Sequence, residues 1–361
     1  MIKNLILKNF RNFSDSSFLF EKNFNFIIWE NGLGKTNILE AISILTGNPI
    51  SEIDFQNLVK FQEKSLFISW IFEKNIASIS YLKEENKKTY LLQTKKTTKK
   101  NLIENTSKSI IFSPWSMNIF YLWPKYRRKF LDDILQNNFW NYKKIYKNFE
   151  NILKQRNKIL KAIKEEKAEK KDIIFWNKNF IEESIKIYKY RKNLINFYKK
   201  NINNLKKYFL NKEVKIKFEY ISKINLENKE LNNDNFEKII YNELEKYLKK
   251  NLDLEILLTR TTIWPHLDDF DLKINDYKII DFASRWEIKS SILGLKFIEI
   301  DYLIKNTWKK PIILIDDFLS EIDDKHKDLL LANIKDFQSI ITSISELKNE
   351  YFLNANKIFV K

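Results

Sequence analysis

The stretch FNFIIWENGLGKTNILEAI, residues 24–42, decides how this chain is read. An alternating apolar run leads into a glycine-containing loop. Ile38, Leu39, Ile42 and Leu45 then follow at helical spacing, and Gly47 and Pro49 stop the helix. Strand, loop and helix form the context of the phosphate-binding pattern G-x-x-x-x-G-K-[ST], in which backbone amides and a lysine cradle phosphates. Gly34, Lys35 and Thr36 fill the end of that pattern. Trp29 stands at its start, where the pattern has glycine.

Working outward, the second strong signal is PIILIDDFLSEID at residues 311–323. Four apolar residues in a row fit a strand buried on both faces, and Asp316 and Asp317 sit at its carboxyl end. One carboxylate there can orient magnesium and the next can polarise an attacking water. The two motifs lie near opposite ends of the chain, so the ends must fold together around whatever separates them. The amino-terminal part reads as strands, including SLFISWIFE, IASISYL and TYLLQ. From about residue 125 the text turns helical and basic. YKKIYKNFENILKQRNKILKAI, residues 142–163, sets Ile145, Phe149, Ile152, Ile159 and Ile163 along one face, and helical text continues to about 210. VKIKFEY and DLEILLTRT read as a return to strands. The expected division is 1–124 for the first part of a head, 125–250 for a helical arm and 251–361 for the rest of the head.

Composition narrows the function. The 361 residues carry 64 Lys and Arg against 47 Asp and Glu, a formal net charge of +17, which favours a polyanionic partner such as nucleic acid. With no cysteine, disulfides and thiolate chemistry are excluded, and two histidines, His266 and His326, make no histidine-rich metal site. No apolar run reaches membrane-spanning length and Lys3, Lys8 and Arg11 break up the amino end, so a cytoplasmic protein is expected. Lysines around 87–101 suit phosphate contacts without base reading, Arg127 and Arg128 suit an internal link or a DNA path, and His326 reads as a solvated helix residue.

Seven stretches, LILKNFRNF, ENGLGKTNILEAI, IIFSPWSMNIFYLWPKYRRKFLDDIL, LKQRNKIL, WPHLDDFDLKIN, FASRWEIKSSILGLKFIE and PIILIDDFLSEID, occur in this order. Together they resemble the RecF family of bacterial recombination mediators along nearly the whole chain. The resemblance implies an α/β fold: an ABC-type P-loop ATPase head, like those of chromosome-structure and double-strand-break repair ATPases, built from both chain ends with an inserted helical arm. It implies binding of ATP with Mg2+, an ATP-dependent homodimer, binding of double-stranded and gapped DNA, RecR and RecO as partners, and no membrane association. The backbone from Trp29 through Glu30, Asn31, Gly32, Leu33 and Gly34 to Asn37 matches the phosphate loop. Lys35 is expected on the β and γ phosphates, and Thr36 and Asp316 on the metal. Arg11 matches a position close to the nucleotide. Asp317 stands where related heads often carry the water-activating glutamate. Ser284, Trp286 and Glu287 match a serine, glycine and glutamine that approach the γ phosphate of the partner subunit, while Ser320 and Asp323 match a segment crossing the dimer interface.

Trp29, Trp264 and Trp286 thus all occupy places where the family has glycine. Glycine allows left-handed dihedrals and close approach of backbone to phosphate, and an indole allows neither. Random decay would leave assorted residues, whereas one rare bulky residue recurs. Glycine numbers only 4 and tryptophan 9. The pattern reads as a stop-type codon, UGA, that the source organism translates as glycine and that conceptual translation writes as tryptophan. Trp70, Trp123 and Trp308 also stand in turn-like or segment-edge contexts, while Trp176 fits a genuine tryptophan. The competing reading is a hydrolysis-deficient DNA-binding or scaffold protein on the same fold, favoured by Glu287 in place of glutamine.

Overall fold

A computed structural model describes residues 1–28, 34–48, 54–72, 75–209, 214–224, 235–263, 265, 267–343 and 350–359. In chain order the amino-terminal elements are β1 (Ile2–Phe10), β2 (Phe13–Leu19), β3 (Phe24–Ile28), α1 (Lys35–Thr46), β4 (Ser65–Phe72), β5 (Asn75–Leu82), β6 (Lys87–Leu92), β7 (Lys95–Thr97) and β8 (Ser109–Phe112). The middle holds α2 (Pro124–Asn138), α3 (Trp140–Lys164), α4 (Ile173–Asn201), β9 (Ile216–Ile221), α5 (Phe236–Lys250), α6 (Leu252–Leu258), β10 (Asp269–Ile274) and β11 (Tyr277–Lys278). The chain ends with α7 (Arg285–Thr307), β12 (Ile312–Ile315), α8 (Asp324–Ile334), β13 (Ser339–Ser343) and β14 (Asn356–Phe359).

Two compact units result. The first comprises Met1–Asn118, Lys207–Leu210 and Arg285–Lys361, so both chain ends build it. Its parallel sheet has the order β14-β3-β13-β12-β8. Every residue of β8, β12 and β13 is buried, as expected for parallel strands covered on both faces. The same unit holds an antiparallel sheet of order β2-β1-β4-β5-β6-β7. Helix α1 touches β8 and β13 of the first sheet and β4 and β5 of the second, which explains why nine of its twelve residues are buried.

One polar side chain joins the chain ends. Gln338, just before β13, accepts from the Ile2 amide at 2.7 Å and donates to the carbonyls of Ile2 and Glu21 at 2.6 and 2.8 Å. These three bonds fix the register of the amino and carboxyl segments by pairing backbone groups that need partners.

The second unit comprises Ile119–Lys206 and Asn211–Ser284. Residues 251–284, assigned to the head by sequence, fall in this unit because β10 pairs with β9 over six residues and with β11. DLEILLTRT is not a strand: its first residues lie in α6, where Glu255 is fully buried against Arg156 of α3. The buried seam of α3 is also turned from the isoleucine face. It runs through Tyr142, Phe149, Arg156 and Leu160, with Ile145, Ile152, Ile159 and Ile163 half-buried on its flank. Arg127 of α2 is bidentate on Asp269 at 2.8 and 2.7 Å, and Arg128 donates to the Asp268 carbonyl at 3.0 Å.

Candidate nucleotide-binding site

The carboxyl ends of β12 and β13 and the start of α1 converge. Asp316 follows β12, and its Oδ1 accepts from the Thr36 hydroxyl at 3.1 Å across a sequence separation of 280 residues. Lys35, 5% exposed, directs Nζ to the carbonyl of Ser343 at 3.4 Å. The fold therefore brings the lysine and threonine of one motif to the carboxylate of the other at the carboxyl ends of the parallel strands, where open α/β sheets bind ligands.

Gly34 caps α1 with φ +108°, a conformation side chains rarely adopt. A Cβ there would meet Asn12 Oδ1 at 2.6 Å, and the same Asn12 oxygen accepts from Asn37 Nδ2 at 2.8 Å. The loop end is thus closed by Asn12 and Asn37 around a position only glycine fits. Trp29, Glu30, Asn31, Gly32 and Leu33 lie outside the described residues, as do Trp264 and His266.

Burial pushes the Asp316 carboxyl above the ordinary carboxylate range. Hydrogen bonds from Thr36 and Thr342 oppose the rise and the neighbouring Asp317 charge adds to it. Asp317 has φ +48°, and its amide donates to Thr342 Oγ1 at 2.9 Å. A hydroxyl beside a carboxylate is a hard oxygen donor set, the chemistry that suits a magnesium ion, so the residues present fit the metal that the motif implies. Arg11, half-buried, is held by Glu40 of α1, which takes its Nε at 2.8 Å and Nη2 at 2.9 Å, and this hydrogen bond raises the guanidinium pKa.

Ser284, Trp286 and Glu287 gather at the amino end of α7. Trp286 sets its ring edge-on to His326, with centroids 5.1 Å apart. His326 is not solvated: it is fully buried, its Nδ1 lies 2.7 Å from Asp323 Oδ2 and its Nε2 2.8 Å from Ser290 Oγ. Together with a hydrogen bond from Lys289 Nζ to the Glu321 carbonyl, this ties α7 to the 318–323 turn and α8.

No protein-family model matches the chain. It is 32% identical over 369 residues to the DNA replication and repair protein RecF of Thermoanaerobacter sp. (strain X514), covering 100% of this chain and 99% of the relative. The chain belongs to the RecF family. It is also 30% identical over 371 residues to RecF of Ruminiclostridium cellulolyticum, covering 100% of this chain and 97% of the relative. Among solved structures it resembles the recombination mediator protein RecF-ATPrS of the RecFOR pathway, with TM-score 0.86 and 27% identity over 100% of this chain and 96% of that one. The RecF-ATP structure gives 0.81 and 28% over 97% and 93%. The α/β architecture is that of an ABC-type P-loop ATPase head.

Within this RecF-family head, Thr342 is a site residue that sequence reasoning did not find. Fully buried at the end of β13, it accepts from the Asp317 amide and donates to Asp316 Oδ1 at 3.1 Å, so it orients both aspartates. The available signal was weak: Thr342 is one of three hydroxyl residues in SIITS, next to Ser343 at its carboxyl end. Asn12 is the other omission, a polar residue in the turn between β1 and β2.

Proposed function

We propose that this chain is an ATP-dependent DNA-binding protein of recombinational and replication-gap repair. It dimerises on ATP, binds duplex DNA beside single-strand gaps, hydrolyses ATP slowly and works with RecR and RecO in the cytoplasm. The observation that carries this reading is the 3.1 Å contact between Thr36 and Asp316 beside Lys35, in a chain of the RecF family. On this reading Lys35 neutralises the β and γ phosphates, and Gly34 with Asn37 keeps the loop amides turned toward them. Thr36 and Asp316 would hold Mg2+, which supplies charge neutralisation on the phosphate oxygens. Asp317 positions or deprotonates the attacking water, and its short side chain suits slow turnover. Ser284, position 286 and Glu287 would meet the nucleotide of a second copy, Arg11 would act through α1, and the second unit would serve as the arm.

Glu287, where the family carries glutamine, favours the second reading: a DNA-binding scaffold on the same fold that does not hydrolyse ATP. The net charge of +17 supports DNA as the ligand in either case. The test is binding to duplexes of several sequences, with and without ATP, across a salt titration. Affinity is expected to rise with ATP, fall steeply with salt and vary little with sequence, because lysine contacts to phosphate carry no base code. Salt-insensitive or strongly sequence-selective binding would contradict the proposal.

A further inference from the structure

Helix α7 ends as helices commonly end, on a residue in the left-handed conformation, but that residue is a tryptophan. Trp308 has φ +56°, and its amide donates to the Ile304 carbonyl at 2.8 Å. Helix α1 shows what normally fills this role. Gly47 has φ +69° and directs its amide to Ile44, and Asn48 donates to the Ser43 carbonyl at 2.9 Å. Among the twelve described non-glycine residues with positive φ, Trp308 is the only aromatic one; asparagine and aspartate, which tolerate this region, supply five. Nor does the indole gain anything in return. It is 89% exposed, the most exposed of the large apolar side chains described.

Trp123 repeats the pattern at the other kind of helix end. It is the N-cap of α2, directly before Pro124, makes no side-chain cap bond and is 77% exposed. Glycine is accepted at that position and tryptophan is not favoured there. Trp70 is anomalous differently: contrary to the segment-edge reading it lies inside β4, fully buried, with an indole N–H that has no acceptor among the described residues. Position 29 is the first glycine of the phosphate-loop pattern, whose backbone must approach the ligand closely. Position 286 carries a half-buried indole in the first turn of α7.

We propose that positions 29, 123, 264, 286 and 308 are glycine in the cellular protein, because the source organism reads UGA, a stop in the standard code, as glycine. A single codon then accounts for the left-handed helix end, the uncapped and exposed N-cap, and the interrupted phosphate loop. It also accounts for a chain of 361 residues with only 4 glycines and 9 tryptophans. The inference rests on backbone geometry and motif position, so it stands or falls separately from the proposed DNA transaction. Its consequence for that proposal is that the nucleotide loop is intact.

Peptide mass spectrometry of the protein purified from its own cells reads the residue at each position, and gene sequencing reads the codons. Glycine at all five positions, encoded by UGA, is the expected result. Tryptophan at any of the five, or a UGG codon there, overturns the inference, since one codon carries one reading. Recombinant protein gives an independent check at 308. Trp308→Gly should raise the thermal midpoint and Trp308→Ala should raise it less, because alanine retains the strained left-handed conformation that glycine relieves. A midpoint lowered by Trp308→Gly would show that the indole belongs there.

Discussion

Glu255→Gln should destabilise the second unit far more than its near-isosteric chemistry suggests. Arg156 and Glu255 are both fully buried and meet at 2.6 Å. Glu255 also accepts from the Thr262 amide at 2.7 Å and hydroxyl at 3.1 Å, while Arg156 donates to Asn177 at 2.8 Å and to the Thr261 hydroxyl. Glutamine retains an acceptor for Thr262 but leaves a buried guanidinium without its counter-charge, which costs about 3–5 kcal/mol. At roughly 2–4 °C per kcal/mol for a unit of this size, the thermal midpoint should fall by about 6–20 °C. The double variant Arg156→Met with Glu255→Gln removes both charges and should recover most of the loss. It should stay about 1–2 kcal/mol below the parent, because Asn177 and Thr261 lose a donor. Thermal unfolding followed by far-ultraviolet circular dichroism, arranged as a double-mutant cycle, measures the coupling. A single-variant loss under about 1 kcal/mol, or a double variant no more stable than Glu255→Gln alone, would refute the reasoning.

Three further outcomes follow, the first two in protein carrying glycine at 29, 264 and 286. Gly34→Ala, which forces a Cβ within 2.6 Å of Asn12 at φ +108°, should weaken ATP binding by at least about tenfold in calorimetric titration, and unchanged affinity would count against the loop assignment. Asp317→Asn should keep ATP binding and lose most steady-state hydrolysis, since shape is kept and carboxylate charge removed; equal rates would reject Asp317 as the water-positioning group. Burial pushes Asp268 up from 3.8 to about 6, so its folded value lies above the unfolded one and its ionisation costs stability as pH rises through that window. Asp268→Asn keeps an acceptor for the Tyr220 hydroxyl at 2.7 Å and should gain on the parent between about pH 4 and 6. Denaturant titrations giving a pH-independent difference would contradict it.

The head was legible because its chemistry is written in local patterns. A lysine and threonine at a helix start and two aspartates after an all-apolar strand each specify their own context, and the fold joins them at Thr36 and Asp316. Thr342 was not legible, since nothing in the spacing of SIITS sets it apart from Ser339 and Ser343, and its role depends on two neighbours distant in sequence. His326 was misread because DDKHKD is charged throughout. On α8, however, His326 shares the buried face with Leu330, Leu331 and Ile334, which an i, i+4 reading of the helix would have shown. In the arm, apolar periodicity located α3 but missed its true seam, because Arg156 is a charged residue buried by a partner 99 residues away. DLEILLTRT failed for the same reason: its short apolar run fits a strand or a helix equally, and Glu255 decides in favour of α6 only once Arg156 is in place.

Sedimentation of the protein bearing Trp29→Gly, Trp264→Gly and Trp286→Gly, with and without ATP and Mg2+, tests most directly whether the Lys35–Thr36–Asp316 cluster is a working nucleotide site. The account predicts a monomer without ATP, a dimer with it, and a monomer under both conditions once Lys35→Ala removes the cation facing the phosphates. Identical sedimentation with and without ATP in both proteins would contradict it.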